Sequence, residues 1–318
     1  MYKCIVCGNQ NKENEVERIK LVNVRTDLDA EYSYYKCNKC GCIQLLKIPE
    51  NLGDYYDNNS YYSFATKNKH NSFIKNTIRR TLFGTILYRN LKRKWLIPTY
   101  NKIKAIAEIS FDKNQSIMDV GCGSGDFINR LRGLGFTNLL GIDPYLSEEM
   151  STDTGVLLKP LSIDQVEEKF DQIWMIHSFE HVTNPQETLK EAIKHLNHNG
   201  TLIMELPLCD SYEFEKYGKY WTGCDAPVHI VMYTKKGIEL LCNSVGGKVI
   251  NCYYFASSHF LKLSEMAKKG YPLSKVTSEN TLKELGNAKI KELQVLMDEI
   301  NNKKKSGMVT FVIKAQTD

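Results

Sequence analysis

Two groups of residues in this 318-residue chain have the types and spacing to do chemistry. The first is a pair of short cysteine pairs, Cys4-x-x-Cys7 and Cys37-x-x-Cys40, each followed directly by a glycine, Gly8 and Gly41. Such pairs can give four thiolates to one tetrahedral Zn2+, and four sulfur ligands leave no open position, so the expected metal is structural. Glycine after the second cysteine lets backbone N–H groups turn toward the sulfurs and ease the accumulated negative charge. The second group is IMDVGCGSGDFINRL, residues 117–131, where an apolar run enters Gly121, Gly123 and Gly125 and continues into a helical pattern. A strand that turns sharply into a helix while its backbone touches a ligand needs residues without a Cβ, and the helix start offers unpaired N–H donors. Asp143 closes the next apolar run, NLLGIDP, eighteen residues beyond Gly125, where a carboxylate can accept both hydroxyls of a ribose. The two features together make a nucleoside site.

The glycine spacing separates two nucleoside chemistries. The dinucleotide fingerprint is G-x-G-x-x-G, whereas this loop reads G-x-G-x-G, with Asp119 two residues before its first glycine. The loop resembles motif I of class I S-adenosylmethionine-dependent methyltransferases, and the likeness continues through FDQIWMIHSFEHVTNP (170–185) and LNHNGTLIMELP (196–207). It implies that Gly121, Cys122, Gly123 and Gly125 wrap the methionine part of the cofactor, that Asp119 supports its amino group and that Asp143 holds the ribose. It further implies that Leu161, near Ser162, borders the adenine and that His177 and Ser178 border the pocket. S-adenosyl-L-methionine and a structural Zn2+ are thus the expected cofactors.

These residues need a scaffold. From Ser116 onward, short apolar runs (SIMDVG, NLLGID, QIWMIH, GTLIMELP, KVINCYYF) alternate with helical segments, which predicts an α/β domain with a parallel sheet. The resemblance makes this a Rossmann-like, seven-stranded methyltransferase sheet over 111–318, with a helical insertion over 257–306 before a last strand, MVTFVIKA. Residues 1–50 hold little that builds a core, so a small zinc-ribbon-like module that needs its metal is expected there. Between the two lie a Tyr-rich connector and basic helices over 51–110, and from Lys67 to Lys104 there are eleven Lys or Arg and no Asp or Glu. The apolar share of 42% and charged share of 25% argue against disorder. With no export signal and no run of about 18 apolar residues, a cytoplasmic protein with reduced thiols is expected. Its basic stretch would allow peripheral contact with the anionic inner face of a membrane.

Methyl transfer is an in-line displacement, so the protein aligns donor and acceptor and, for a hydroxyl acceptor, removes a proton. His229 lies in a polar, aromatic loop expected over the donor and is the leading base; equally, it serves to fix that loop through a backbone hydrogen bond. Glu205, at a strand end, and Asp225 are the other candidates. His177, Glu180 and His181 spell the zinc-protease pattern H-x-x-E-H, but the first histidine ends an apolar strand, so the helical face that pattern needs is not expected. The order of zinc pairs, Tyr-rich connector and methyltransferase core resembles methyltransferases of bacterial surface-polysaccharide and modified-sugar pathways. It implies a sugar, nucleotide-sugar or lipid-linked saccharide acceptor methylated on a hydroxyl. The principal alternative is an RNA methyltransferase using the zinc module and basic helices, and a third is an inactive zinc-binding adaptor.

Overall fold

The computed structural model describes residues 1–50, 52–56 and 112–316. The basic 67–104 stretch and nearly all of the Tyr-rich connector and basic helices expected over 51–110 lie outside them.

The central layer is a sheet in the order β13-β14-β11-β10-β6-β7-β9-β8. Its strands are β6 (Ser116–Val120), β7 (Asn138–Ile142), β8 (Met150–Ser151), β9 (Leu157–Lys159), β10 (Phe170–Ile176), β11 (Leu196–Pro207), β13 (Gly247–Tyr254) and β14 (Met308–Ala315). β6, β7, β9, β10 and β11 run parallel, as their buried apolar runs predict. The last strand of the chain slots between β11 and β13, antiparallel to both. The sheet therefore has eight strands where seven were expected. The eighth, β8, is a two-residue edge antiparallel to β9, too short for any periodicity to announce.

Helices α1 (Asp126–Leu134), α2 (Pro185–Lys194) and α4 (Lys235–Ser244) flank the sheet. α2 begins on Pro185 itself, since the missing N–H of proline costs nothing at the first helical position. A six-residue α3 (Tyr212–Tyr217) follows β11. The expected insertion is a helical pair, α5 (Ser258–Lys268) and α6 (Ser278–Asn302), with α6 broken at Gly286 where φ is +70°.

The N-terminal module contributes short strands β1 (Tyr2–Lys3) and β2 (Gln10–Asn11), and then β3 (Arg18–Asn23), β4 (Asp27–Lys36) and β5 (Ile43–Leu45). It is less independent than its composition suggests. β12 (Val231–Met232), from the far part of the chain, pairs antiparallel with β5 and completes a four-stranded sheet β12-β5-β4-β3. Val6 and the cysteines share one buried cluster with Met118, Ile173, Leu206 and Ile238. Leu21, Tyr34 and Ile43 share another with Met232, Leu261 and Met297. A module too small for its own core thus borrows that of the α/β domain.

At this seam, Thr234 caps α4 by accepting from Gly237 N at 2.9 Å, while its hydroxyl donates to Cys40 O at 2.6 Å. A Cβ on Gly237 would sit 2.2 Å from Cys42 Sγ, whereas one on Gly133, inside α1, would meet nothing within 4 Å. Gly237→Ala is expected to destabilise the protein by about 1–3 kcal/mol through overpacking, and Gly133→Ala to stabilise it by about 0.4–1 kcal/mol. Urea unfolding of the two variants checks both signs.

Candidate active site and cysteine centre

The loop after β6 is shaped by its glycines. Gly121, Gly123 and Gly125 have φ of +74°, +50° and +79°, which side chains rarely adopt. Space is equally restrictive, because a Cβ on Gly121 would lie 2.4 Å from Ser178 Cβ. Gly121 N and Cys122 N both donate to Ile142 O, at 2.8 and 3.1 Å, which ties the loop to the end of β7. Gly125 is the N-cap of α1, so the first N–H groups of that helix face the bend.

Asp143, 6% exposed, accepts from Gly123 N and Tyr145 N, each at 2.9 Å and on different oxygens. Each carboxylate oxygen keeps a further lone pair for a hydroxyl. Burial raises the Asp143 pKa, and the two N–H groups oppose that rise. Asp119 is buried beneath the loop in β6. Ser178 donates its hydroxyl to Val120 O at 2.8 Å, and Leu161 packs against the core beyond β9. The nine residues expected to hold the cofactor thus lie along the carboxyl ends of β6, β7, β9 and β10, where open α/β sheets place ligands. A cradle that a single Cβ would fill, with a ribose-type carboxylate beside it, fits S-adenosylmethionine. A hollow of about 890 Å3 lined by Lys169, His198, Lys248 and Lys314 opens instead at the amino ends of β10 and β11.

Beside the cradle is a polar cluster that the linear sequence does not show. His177, directly after β10, has φ +52°, an uncommon conformation for a residue with a side chain. Its Nε2 lies 3.3 Å from Glu205 Oε1 and its Nδ1 3.7 Å from Glu180 Oε1. Burial works against charging His177, but the two carboxylates outweigh it and raise its pKa to about 9. Glu205 Oε2 also accepts from Thr310 Oγ1 at 3.0 Å.

His229 is 7% exposed, and its Nδ1 is 2.9 Å from Gly223 O, so the loop-fixing contact expected of it is present. Its Nε2 lies 3.8 Å from Glu180 Oε1. Asp225 is held by Arg25 of the N-terminal module, through Nε at 3.2 Å and Nη2 at 2.5 Å. Tyr34 donates to His229 O at 2.9 Å, so the module grips this loop at two points. The structure therefore brings His229 and Glu205 into one cluster and turns Asp225 away toward the module.

The four cysteine sulfurs of the N-terminal pairs lie within 4.8 Å of one another. Two measured gaps are 3.6 Å (Cys4 to Cys40) and 3.7 Å (Cys7 to Cys37). Zn–S bonds of about 2.3 Å in a tetrahedron place sulfurs about 3.8 Å apart, so the set is preformed for such an ion. Gly8 and Gly41 have φ of +69° and +77°, as the knuckle turns require. Gln44 Nε2 donates to Cys4 Sγ at 3.0 Å, and Cys7 N does so at 3.4 Å. Burial acts to raise Cys37, but the backbone N–H groups of Cys40 and Lys39 outweigh it and bring its pKa down to about 7. Cys42 stands outside the set, accepting from Thr234 N at 3.4 Å.

A sheet whose central strands run parallel, with a glycine cradle and a buried carboxylate at their carboxyl ends, is the arrangement of a class I S-adenosylmethionine-dependent methyltransferase. The chain belongs to the methyltransferase-domain family, whose model matches residues 89–251, just over half of its length. A tRNA U34 carboxymethyltransferase of Shewanella loihica is 31% identical over 124 residues, covering 34% of this chain and 38% of that protein. One from Campylobacter hominis is 26% identical over 121 residues, with 35% and 41% covered. The chain thus spans about two fifths of the length of these relatives. The cyclopropane synthase MmaA2 of Mycobacterium tuberculosis superimposes with a TM-score of 0.43 at 15% identity, covering 70% of this chain and 87% of that one.

Gly121→Ala is expected to weaken S-adenosylmethionine binding at least about tenfold, because the cradle must open. Asp143→Ala is expected to cost about 10–100-fold, from hydrogen bonds to a charged group worth about 1.5–3 kcal/mol. Titration calorimetry checks both, and unchanged affinity in either variant would place the cofactor elsewhere.

Proposed function

We propose that this methyltransferase modifies a nucleotide of an RNA acceptor, with Zn2+ held by Cys4, Cys7, Cys37 and Cys40 to stiffen the wall of its acceptor site. The names of the relatives support an RNA acceptor better than the sugar expected from sequence, since both act on tRNA. The observation that carries the reading is the polar cluster of His177, Glu180, Glu205 and His229 at the edge of the cofactor cradle. When bound, S-adenosylmethionine supplies an electrophilic methyl group on a sulfonium. Everything else falls to the chain: the glycine loop and Asp143 orient the donor, and the cluster receives a proton from the acceptor.

Within the cluster, His177 is the member open to the cleft, with its side chain 29% exposed. We assign proton removal to the Glu205 carboxylate, with the already protonated His177 beside it as its positioning partner. His229 acts through Glu180, because its Nδ1 is committed to Gly223 O. Asp225, bound to Arg25, anchors the loop that carries His229. The zinc module accordingly has a positioning role, which makes the inactive-adaptor reading unnecessary.

A sugar hydroxyl is the second reading. It is favoured by the same cluster, because an alcohol is a weak acid that needs a positioned base. No helix among the described residues is long and apolar enough to cross a membrane.

Labelled-methyl transfer to bulk tRNA, and in parallel to nucleotide sugars, separates the acceptors: counts in RNA alone support the main reading, and counts in the sugar fraction alone replace it with the second. Glu205→Gln is expected to lower kcat by about 10²–10⁴-fold with donor binding changed only a few-fold. Cys40→Ser is expected to lose one equivalent of zinc and to lower the unfolding temperature, read by metal analysis and thermal denaturation together.

A further inference from the structure

Glu180 is 0% exposed, and neither of its carboxylate oxygens has a hydrogen-bond partner among the described residues. A carboxylate out of water without a donor is costly by several kcal/mol, and His177 Nδ1, 3.7 Å from Oε1, stands beyond hydrogen-bond reach. Two imidazoles converge on it. Glu180, His181 and His229 each place one ligand-type atom so that all three lie within 4.8 Å of one another. They come from different parts of the fold: Glu180 and His181 from the single 3-10 turn Phe179–His181, and His229 from the loop before β12. The two pieces are clamped together by Ile230 N donating to Glu180 O at 2.9 Å.

Both histidines have the outer contact that metal-binding imidazoles have. Nδ1 of His181 is 2.9 Å from Val228 O, and Nδ1 of His229 is 2.9 Å from Gly223 O. A carbonyl only accepts, so in each ring Nδ1 carries a proton, and in the neutral ring that a metal binds Nε2 carries the lone pair. The His229 Nε2 to Glu180 Oε1 gap is 3.8 Å. Bonds of about 2.0–2.2 Å to a tetrahedral Zn2+ put its ligands about 3.3–3.6 Å apart, so the His229–Glu180 edge is nearly in place, and the set, whose atoms lie within 4.8 Å of one another, closes by drawing the three together.

We propose that Glu180, His181 and His229 bind a divalent transition-metal ion, separate from the cysteine centre, with a fourth position left for water or an acceptor oxygen. Two nitrogens and one carboxylate suit Zn2+, which at an open position lowers the pKa of a bound hydroxyl. The H-x-x-E-H pattern does not form its protease site, because His177 ends a strand in a left-handed conformation and lies on the Glu205 side. Glu180 and His181 from that pattern instead find their third ligand 48 residues later. The site stands on its own geometry and holds for either acceptor.

The test uses the full chain, loaded with Zn2+ and freed of excess, then analysed for zinc per chain and by X-ray absorption at the zinc edge. The wild type is expected to hold one equivalent more than each of His181→Asn, His229→Asn and Glu180→Gln, with the variants checked for folding by circular dichroism. Its absorption spectrum is expected to contain nitrogen or oxygen neighbours at about 2.0–2.1 Å beside sulfur at about 2.3 Å. A zinc shell of sulfur alone in the wild type overturns the proposal even if every variant misfolds. So does a zinc content that the three substitutions leave unchanged.

Discussion

The site is organised around a buried negative charge. Glu180 sits wholly out of water, and its charge obliges His177, His181 and His229 to surround it. Burial alone would raise its pKa, but the contact with the charged His177 opposes this and helps to hold it low. His181 in turn is held down to about 4, chiefly by burial. Because these rings arrive on the end of β10, on a 3-10 turn and on the loop before β12, neutralising one carboxylate aligns three segments of chain. The same alignment sets Ser178 against the bend at Gly121, so the polar cluster and the cofactor cradle share a wall.

The N-terminal module belongs to this arrangement rather than beside it. Its β5 takes β12 as a partner strand, Arg25 binds Asp225, and Tyr34 reaches the carbonyl of His229. A loop with this many polar groups would be costly to hold at one geometry by itself. The four cysteine sulfurs converge at one end of the module, and Thr234 links that end to α4 through Cys40. The cysteine cluster, the rest of the module and the His229 loop are joined by one continuous set of contacts.

Sequence patterns that rest on local rules were legible. The strands from Ser116 onward appear where their apolar runs place them, and the glycines of the cradle and of both cysteine knuckles have the positive φ that their spacing implied. The closing strand does insert among the earlier ones. What escaped was short or non-local: β8 is two residues long, and β12 is a strand only because β5 lies beside it.

The sequence by itself determined the chemistry available: four thiols in two pairs, a glycine bend before a helix, and a carboxylate on the following strand. Those depend on neighbours a few residues apart, whose geometry local backbone preferences dictate. Only the tertiary structure decided which histidines meet which acids. It sent Asp225 to Arg25, some two hundred residues away, and brought His229 to Glu180, because the partners of a buried charge are chosen by packing across the whole fold and not by position along the chain.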